Sequence, residues 1–492
     1  MIKLKNYKNI FEMEMPLVSM MNRDMYGVIK WCTPSIHPHV QRVNGIYDND
    51  VSISYHSLGN PSLNTGVFKK AHDLAAKTYK SKHTLFSVNG SSGSNFIVLR
   101  ALSHQLGKVN MLAQRNIHKS ISVASEDYCI NINHLKPHYD QDLQIFVPNT
   151  IAEFKEGLKK HPETNVVFIT NPTYEGLSID LPKFVEEIRK INSKIIIFVD
   201  EAWGSLFSFS NKMPTSAMEA GADICVQSTH KQSSGLQQTG MIHWKGNRII
   251  DKYIMDSYKS LITTSPSFHL LASLDAARFL METQGSDIID DLIATANKLS
   301  LEVSKISGVK VADHSFIMKK YPQVKSIDPT KVLVNVKGTG IAGYEIAKEF
   351  ENEYKVVLEK YEADNIFFIA IMQNTEYDAI ETARRLKMCI GKLSKKKNKS
   401  RIIFPDLPLD IKKSIPSYEV CKKKIVPMKL EKSIGLICAE DVVPYPPGIP
   451  LIAKGEIISK EHINYLKAIK KLSGLISVVI CDDKIQNILV IK

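Results

Sequence analysis

Four polar clusters carry the residue types from which an active centre could be built, and each follows a short apolar run. The first is 89–95 (NGSSGSN), containing Gly90, Ser91 and Ser92. Small residues between a strand and a helix leave backbone N–H groups at a helix N-terminus, where phosphate binds well. It is neither a Walker loop nor a GxGxxG turn. The second is Asp200, closing the strand KIIIFVD. A carboxylate there is costly unless a cation pairs with it, and a protonated pyridine nitrogen would serve. The third is 228–231 (STHK), which sets Ser228, His230 and Lys231 together after another apolar run. A lysine among hydroxyls at a sheet edge is well sited for a Schiff base, provided burial and neighbours lower its pKa. The fourth is His118 in RNIHKS, a flat ring that could stack on a cofactor.

Each cluster has a plain structural reading: a tight turn, a helix cap, a surface lysine, a packing histidine. What joins them is placement. In open α/β sheets, ligands bind beyond the carboxyl ends of the strands, and all four fall at such ends.

The elements that must position them begin near residue 84. Strands are predicted at 84–88, 108–112, 165–170, 194–200, 223–228 and 240–244, with a helix at 96–106. Short apolar strands alternating with helical patterns indicate βαβ units and a mainly parallel sheet. After about residue 290 the texture becomes a smaller α+β pattern. It has helices at 292–306 and 344–353 and strands near 332–336 and 365–370. A Lys- and Pro-rich stretch near 395–416 marks a boundary before a last unit. The expected division is therefore an N-terminal arm (1–50), a large domain (51–290), a small α+β domain (291–400) and a C-terminal α+β domain (415–492).

At 492 residues the chain exceeds one compact core, and 44% hydrophobic with 23% charged residues is ordinary for a globular protein. No apolar run reaches the about 18 residues a membrane span needs, and the first residues lack a signal-peptide layout. Seven scattered cysteines without CxxC spacing argue against a disulfide framework or a zinc ribbon, and for a reducing cytoplasm. No metal site is expected. The net charge of +13 owes much to late lysines such as the run KKKNK at 395–399. No aromatic residues interleave with that run, so it reads as solvated linker rather than a nucleic-acid patch.

With these motifs in place, the chain resembles the ornithine/lysine/arginine decarboxylases, fold-type-I enzymes dependent on pyridoxal phosphate. The matching segments run in order: DNDVSIS, NGSSGSN, RNIHKS, TNPTYEG, DEAW, QSTHK, TTSPS and AEDVVPYPPGIP followed by Gly455 and Glu456. The resemblance implies an aspartate-aminotransferase-like large domain with Lys231 carrying the cofactor as a Schiff base. It implies that Asp200 holds the pyridine nitrogen protonated and His118 stacks on the ring. Gly90, Ser91, Ser92, Ser228 and His230 would surround the phosphate, with His230 also a candidate for proton transfer. Ala202 and Trp203 would line the ring pocket, and Glu359 would face the distal cation of the substrate. Thr263 would reach the phosphate of a neighbouring subunit, making a homodimer the minimum assembly. The implied reaction converts a basic amino acid, arginine or lysine before ornithine, to its amine and CO2.

Two departures bear on this reading. The chain is a short form without the N-terminal wing domain of larger members, so ring-like decamers are not implied. The family's TPGH motif appears as Cys32-Thr33-Pro34-Ser35-Ile36-His37, with His39 close by. That segment, Pro34 to His37 above all, borders the substrate side of the pocket in relatives, and its alteration bears on substrate and reaction. The competing readings are transamination or another lyase step on the same fold, and a non-catalytic homologue. A transaminase needs a clamp for the α-carboxylate, usually an arginine, and nothing marks the late Arg384 or Arg385 as that clamp. Retention of Lys231, Asp200 and His118 together argues against the non-catalytic reading.

Overall fold

The computed structural model describes residues 29–31, 59–395, 407–408, 412–445, 450–470, 477–482 and 484–492. The segment 48–54, the altered loop 32–37, His39, most of the lysine run at 395–399 and residues 446–449 lie outside them.

Apolar runs ending in polar residues set the central sheet, because a strand covered on both faces has no polar side to spare. After strand β1 (Ile29–Trp31) come helix α1 (Gly66–Thr78), strand β2 (His83–Ser87) and helix α2 (Gly90–Leu106). Strand β3 (Asn110–Ala113), helix α3 (Lys119–Asp127) and strand β4 (Asn131–His134) follow. Strands β5 (Val166–Thr170), β6 (Ile196–Asp200), β7 (Ile224–Gln227) and β8 (Gly240–Trp244) complete the set. Seven of these join in the order β2-β8-β7-β6-β5-β3-β4. Only β8 runs antiparallel to its neighbours; the other pairs are parallel. The mainly parallel sheet expected from the sequence is present. Every residue of β6 is buried. Its register sets Thr170 beside Asp200 and Asp200 beside Val226, so three carboxyl ends align at one edge.

Helix α2 starts at Gly90 rather than at Phe96, so the Gly/Ser cluster is its first turns. Glycine and serine are weak helix formers, and here tertiary contact fixes them. A Cβ on Gly240 of β8 would meet Gln227 O at 2.7 Å, Gly90 C at 3.0 Å and Ser91 N at 3.1 Å. Only glycine lets β8 lie that close to the start of α2.

Helix α4 (Asp251–Leu261) leads to the 37-residue helix α5 (Phe268–Ser304). Leu271 and Leu274 of α5 pack with Phe86 of β2 and Met241 of β8, while Leu292, Leu299 and Val303 pack in the small domain. The residue-290 boundary drawn from the sequence thus falls inside one continuous helix. The small domain is a sheet in the order β9 (Lys310–Val311), β10 (Lys331–Asn335), β13 (Asn365–Ile369), β12 (Lys360–Tyr361). It is covered by helix α6 (Glu376–Ser394), which a Thr375/Asp378 capping box opens. Strand β11 (Val356–Leu358) lies beside it and pairs in parallel with β1, Trp31 opposite Leu358. The Trp31 indole is fully buried, donates to Thr382 Oγ1 at 2.6 Å and meets Phe368 edge-on.

The last unit pairs β14 (Ile425–Lys429) with β15 (Asn487–Ile491), and helix α7 (Lys460–Lys470) packs in a separate core that includes Val442, Ile452, Leu466 and Val490. Among the described residues, no helix is long and apolar enough to cross a membrane.

Candidate active site

Adjacent parallel strands deliver the two central groups. Asp200 ends β6, 3% exposed, and its Oδ1 accepts the Ala202 N–H at 3.1 Å. Burial raises its pKa, against Lys231, the Ala202 N–H and the Asn95 side chain, which all favour the carboxylate. Lys231 lies in a single helical turn (Thr229–Gln232) directly after β7. Its Nζ stands 3.9 Å from the centroid of the Trp203 ring. Burial lowers the Lys231 pKa to about 8, although Asp200 and Glu359 pull the other way. A lysine in this state reaches its neutral, nucleophilic form near physiological pH.

A corner of small polar groups forms beside them. Ser228 Oγ donates to Ser91 Oγ at 2.7 Å, joining the end of β7 to the first turn of α2. Gly90 takes φ +61°, and a Cβ there would lie 3.7 Å from His230 Cε1, so the imidazole borders the same turn. His230 Nδ1 is 2.6 Å from Thr239 O and donates to it; burial lowers its pKa. Ser92 is exposed in that first turn. The Asn89 side chain makes no capping hydrogen bond to α2, a 17-residue helix.

His118 is the N-cap of α3, its Nδ1 accepting the Ser120 N–H at 3.2 Å. Burial, then the charges of Lys231 and Lys119, lower its pKa to about 4. The ring is therefore neutral at pH 7. The stretch from its loop through α3 to β4 is held from the C-terminal unit by contacts not foreseen from sequence. Arg115 pairs with Glu456 at 3.0 Å, both side chains 3% exposed. Lys454 reaches Glu126 at 2.5 Å, and Lys413 donates to Ile132 O at 2.6 Å. The motifs RNIHKS and Gly455–Glu456 were both visible, but their contact is 341 residues apart in sequence. Arg115→Met, which strands Glu456, is expected to cost about 3–5 kcal/mol in urea unfolding. The double variant Arg115→Met/Glu456→Leu should recover much of that loss; equal destabilisation would mean the pair is not coupled.

Glu359 follows β11, and Tyr174 donates its hydroxyl to Glu359 Oε1 at 2.7 Å. Tyr174 also meets Trp203 edge-on at 4.9 Å. Tyr174 lies within the NPTYEG turn, where no local pattern singles it out. Lys331, from the stretch DPTK, was missed altogether, and its Nζ lies 4.6 Å from the same Trp203 ring. Trp31 pairs with Leu358, the residue before Glu359. Thr263, exposed just after α4, accepts the Ser265 N–H at 3.2 Å. Arg384 and Arg385 both pair with Glu381, and Arg385 also donates to Tyr354 O. Lys231, Asp200, Trp203, Ala202 and Glu359 are thus brought together, as are Gly90, Ser91, Ser228 and His230.

The residues fit pyridoxal phosphate on three observations. A buried carboxylate sits where a pyridinium would neutralise it. A hydroxyl corner adjoins a helix N-terminus that its own N-cap side chain leaves uncapped. The buried Thr229 Oγ1 and Asn95 Oδ1 have no hydrogen-bond partner here, and buried polar groups ordinarily find one. Among the described residues no cluster of His, Cys, Asp and Glu is arranged to hold a metal ion.

Residues 43–378 match the family described as Orn/Lys/Arg decarboxylase, major domain, and residues 407–475 match its C-terminal domain. The chain is 30% identical over 404 residues to an arginine decarboxylase of Bacillus subtilis (strain 168), covering 82% of this chain and 81% of that one. It is 30% identical over 459 residues to an arginine decarboxylase of Halalkalibacterium halodurans, covering 91% and 90% respectively. The solved lysine decarboxylase LdcF of Francisella novicida superposes with a TM-score of 0.75 at 21% identity, over 91% of this chain and 75% of that one. That likeness establishes the fold.

Proposed function

This chain belongs to the Orn/Lys/Arg decarboxylase family, and on that premise we propose that it releases CO2 from arginine, using pyridoxal phosphate carried on Lys231. Lysine is the second substrate to consider, and ornithine the third. The 30%-identical relatives that match over four fifths or more of this chain are named arginine decarboxylases, which puts arginine first. The observation that carries a basic substrate is the acidic end of the site. Glu359 is held by the Tyr174 hydroxyl at 2.7 Å and acts on the Lys231 charge. A fixed carboxylate of this kind receives a guanidinium through charge-assisted hydrogen bonds.

The bound cofactor supplies an electron sink for the pair left on the α-carbon as CO2 departs. The chain's own residues do the rest. Lys231 Nζ, with its pKa lowered to about 8, would hold the cofactor and, once freed by the substrate, would carry on its ammonium group the proton that the α-carbon needs. Asp200, buried and hydrogen-bonded, keeps the ring nitrogen protonated. His118 stacks as a neutral imidazole. Ser91, Ser92, Ser228 and the α2 N-terminus bind the phosphate, with His230 closing that corner, its Nδ1 proton committed to Thr239 O. Trp203 and Tyr174 wall the reacting carbon from water. Thr263 completes the phosphate site of a second copy in a dimer. Arg384 and Arg385 pair with Glu381, which leaves neither marked as a transaminase's carboxylate clamp.

Glu359→Gln is expected to raise KM for arginine roughly 10- to 100-fold, the worth of one charged hydrogen bond, with a smaller change in kcat. Steady-state kinetics of CO2 release checks this. An unchanged KM would remove Glu359 from the substrate site.

A further inference from the structure

Lys331, the first residue of β10, has 1% of its side chain exposed. Its Nζ donates to Tyr174 O at 3.1 Å and lies 3.8 Å from Asp328 Oδ2. The other Asp328 oxygen is taken by the Thr330 N–H and hydroxyl. A Cβ on Gly176 would meet Lys331 Cδ at 3.0 Å, so the stem is tightly confined. The ammonium is 4.6 Å from the Trp203 ring centroid, and Lys231 Nζ is 3.9 Å from that same centroid. Both lysine nitrogens are thus neighbours of one indole ring.

Three charged groups act on Lys231: Asp200, Glu359 and Lys331. Other nearby cations are occupied elsewhere. Lys360 is buried between Glu175 (2.9 Å) and Glu362 (3.3 Å), and Arg384 and Arg385 pair with Glu381. Besides the phosphate, cofactor and substrate would bring a pyridinium, a distal cation and an α-carboxylate. The pyridinium faces Asp200 and the distal cation of the substrate faces Glu359. The α-carboxylate is left, and among the described residues Lys331 is the cation that acts on Lys231.

Resting on the function proposed above, we propose that Lys331, beside Trp203, is the fixed charge that attracts the substrate's α-carboxylate. It is a positioning residue that makes the site prefer the amino acid to the amine it becomes. Loss of CO2 removes one negative charge from the ligand, so the same ammonium that attracts the substrate repels the product. Across several ångströms of protein at an effective dielectric of about 20, one such charge changes affinity on the order of 10- to 100-fold. The attraction exists before the reaction and fades as the carboxylate becomes neutral CO2. It therefore favours substrate binding and product release, at some cost to the chemical step, because attraction held in the ground state is lost in the transition state.

The test compares cofactor-loaded wild type with Lys331→Met and Lys331→Arg. For each, KM for the amino acid, the inhibition constant of its amine product, and the pH midpoint of the cofactor absorbance are measured. Lys331→Met should raise the ratio of KM to the product inhibition constant by about tenfold or more, and Lys331→Arg should restore it. The absorbance midpoint should move up in Lys331→Met, because a repelling charge near Lys231 has gone. Lys331→Gln supplies the same neutralisation if the Met variant does not fold. Equal weakening of both ligands with an unmoved midpoint would overturn the proposal and leave Lys331 a structural residue. Failure of the wild type to release CO2 from any basic amino acid would overturn the functional reading instead. The absorbance midpoint would still judge Lys331.

Discussion

Lys231→Ala is expected to lose CO2 release by about four orders of magnitude or more, the scale seen when a covalent group is removed. The visible absorbance of the cofactor linkage should vanish with it. The expectation rests on the position of Lys231 directly after β7, between the charges of Asp200 and Glu359. Its ionisation offers a second readout. A lysine with a pKa of about 8 is one-tenth neutral at pH 7 and half neutral at pH 8. Capture of added pyridoxal phosphate by cofactor-free protein should therefore quicken about fivefold between those values and level off above about pH 9. A capture rate still climbing tenfold per unit at pH 9 would mean that the lysine titrates near its ordinary value. In Lys231→Ala this pH dependence should be absent.

Asp200→Asn is expected to lower kcat by about 10²- to 10³-fold at saturating cofactor. The amide preserves shape and the hydrogen bond from Ala202, but not the negative charge. A buried charge whose partner is removed forfeits about 3–5 kcal/mol, and each 1.36 kcal/mol is tenfold in rate. Asp200 meets the conditions for a value in this range, since it is 3% exposed and burial opposes its ionisation. Neutralising it removes the group that keeps a ring nitrogen protonated. Single-turnover CO2 release measures the effect free of product departure. A fall of less than tenfold would show that another group holds that proton.

The strand-end chemistry was legible because the parallel sheet is a local code. An apolar run closed by Asp200, and another closed by Ser228 ahead of Lys231, mark their own carboxyl ends. The start of α2 was less legible. Gly90, Ser91 and Ser92 have poor helix propensity, and what makes them helical is Gly240 of β8, far away in sequence. Strand β4 reads NINH, half polar at the sheet's edge, and lacks the apolar run that marks its neighbours. Non-local pairings left no local trace: β1 with β11, Arg115 with Glu456, and Lys331 beside Trp203. Glu359 could be named only through the family resemblance. Its surroundings, EKYEAD, read as an ordinary charged turn, and the Tyr174 hydroxyl that fixes it lies 185 residues earlier.

The central claim is tested most directly by product analysis. Purified, cofactor-loaded protein is given arginine, lysine and ornithine separately, and CO2, amine and keto acid are each quantified. The account predicts equal amounts of CO2 and amine, greatest with arginine, and none from Lys231→Ala. A protein that carries the cofactor yet yields keto acid, or releases no CO2 from any of the three, would contradict it.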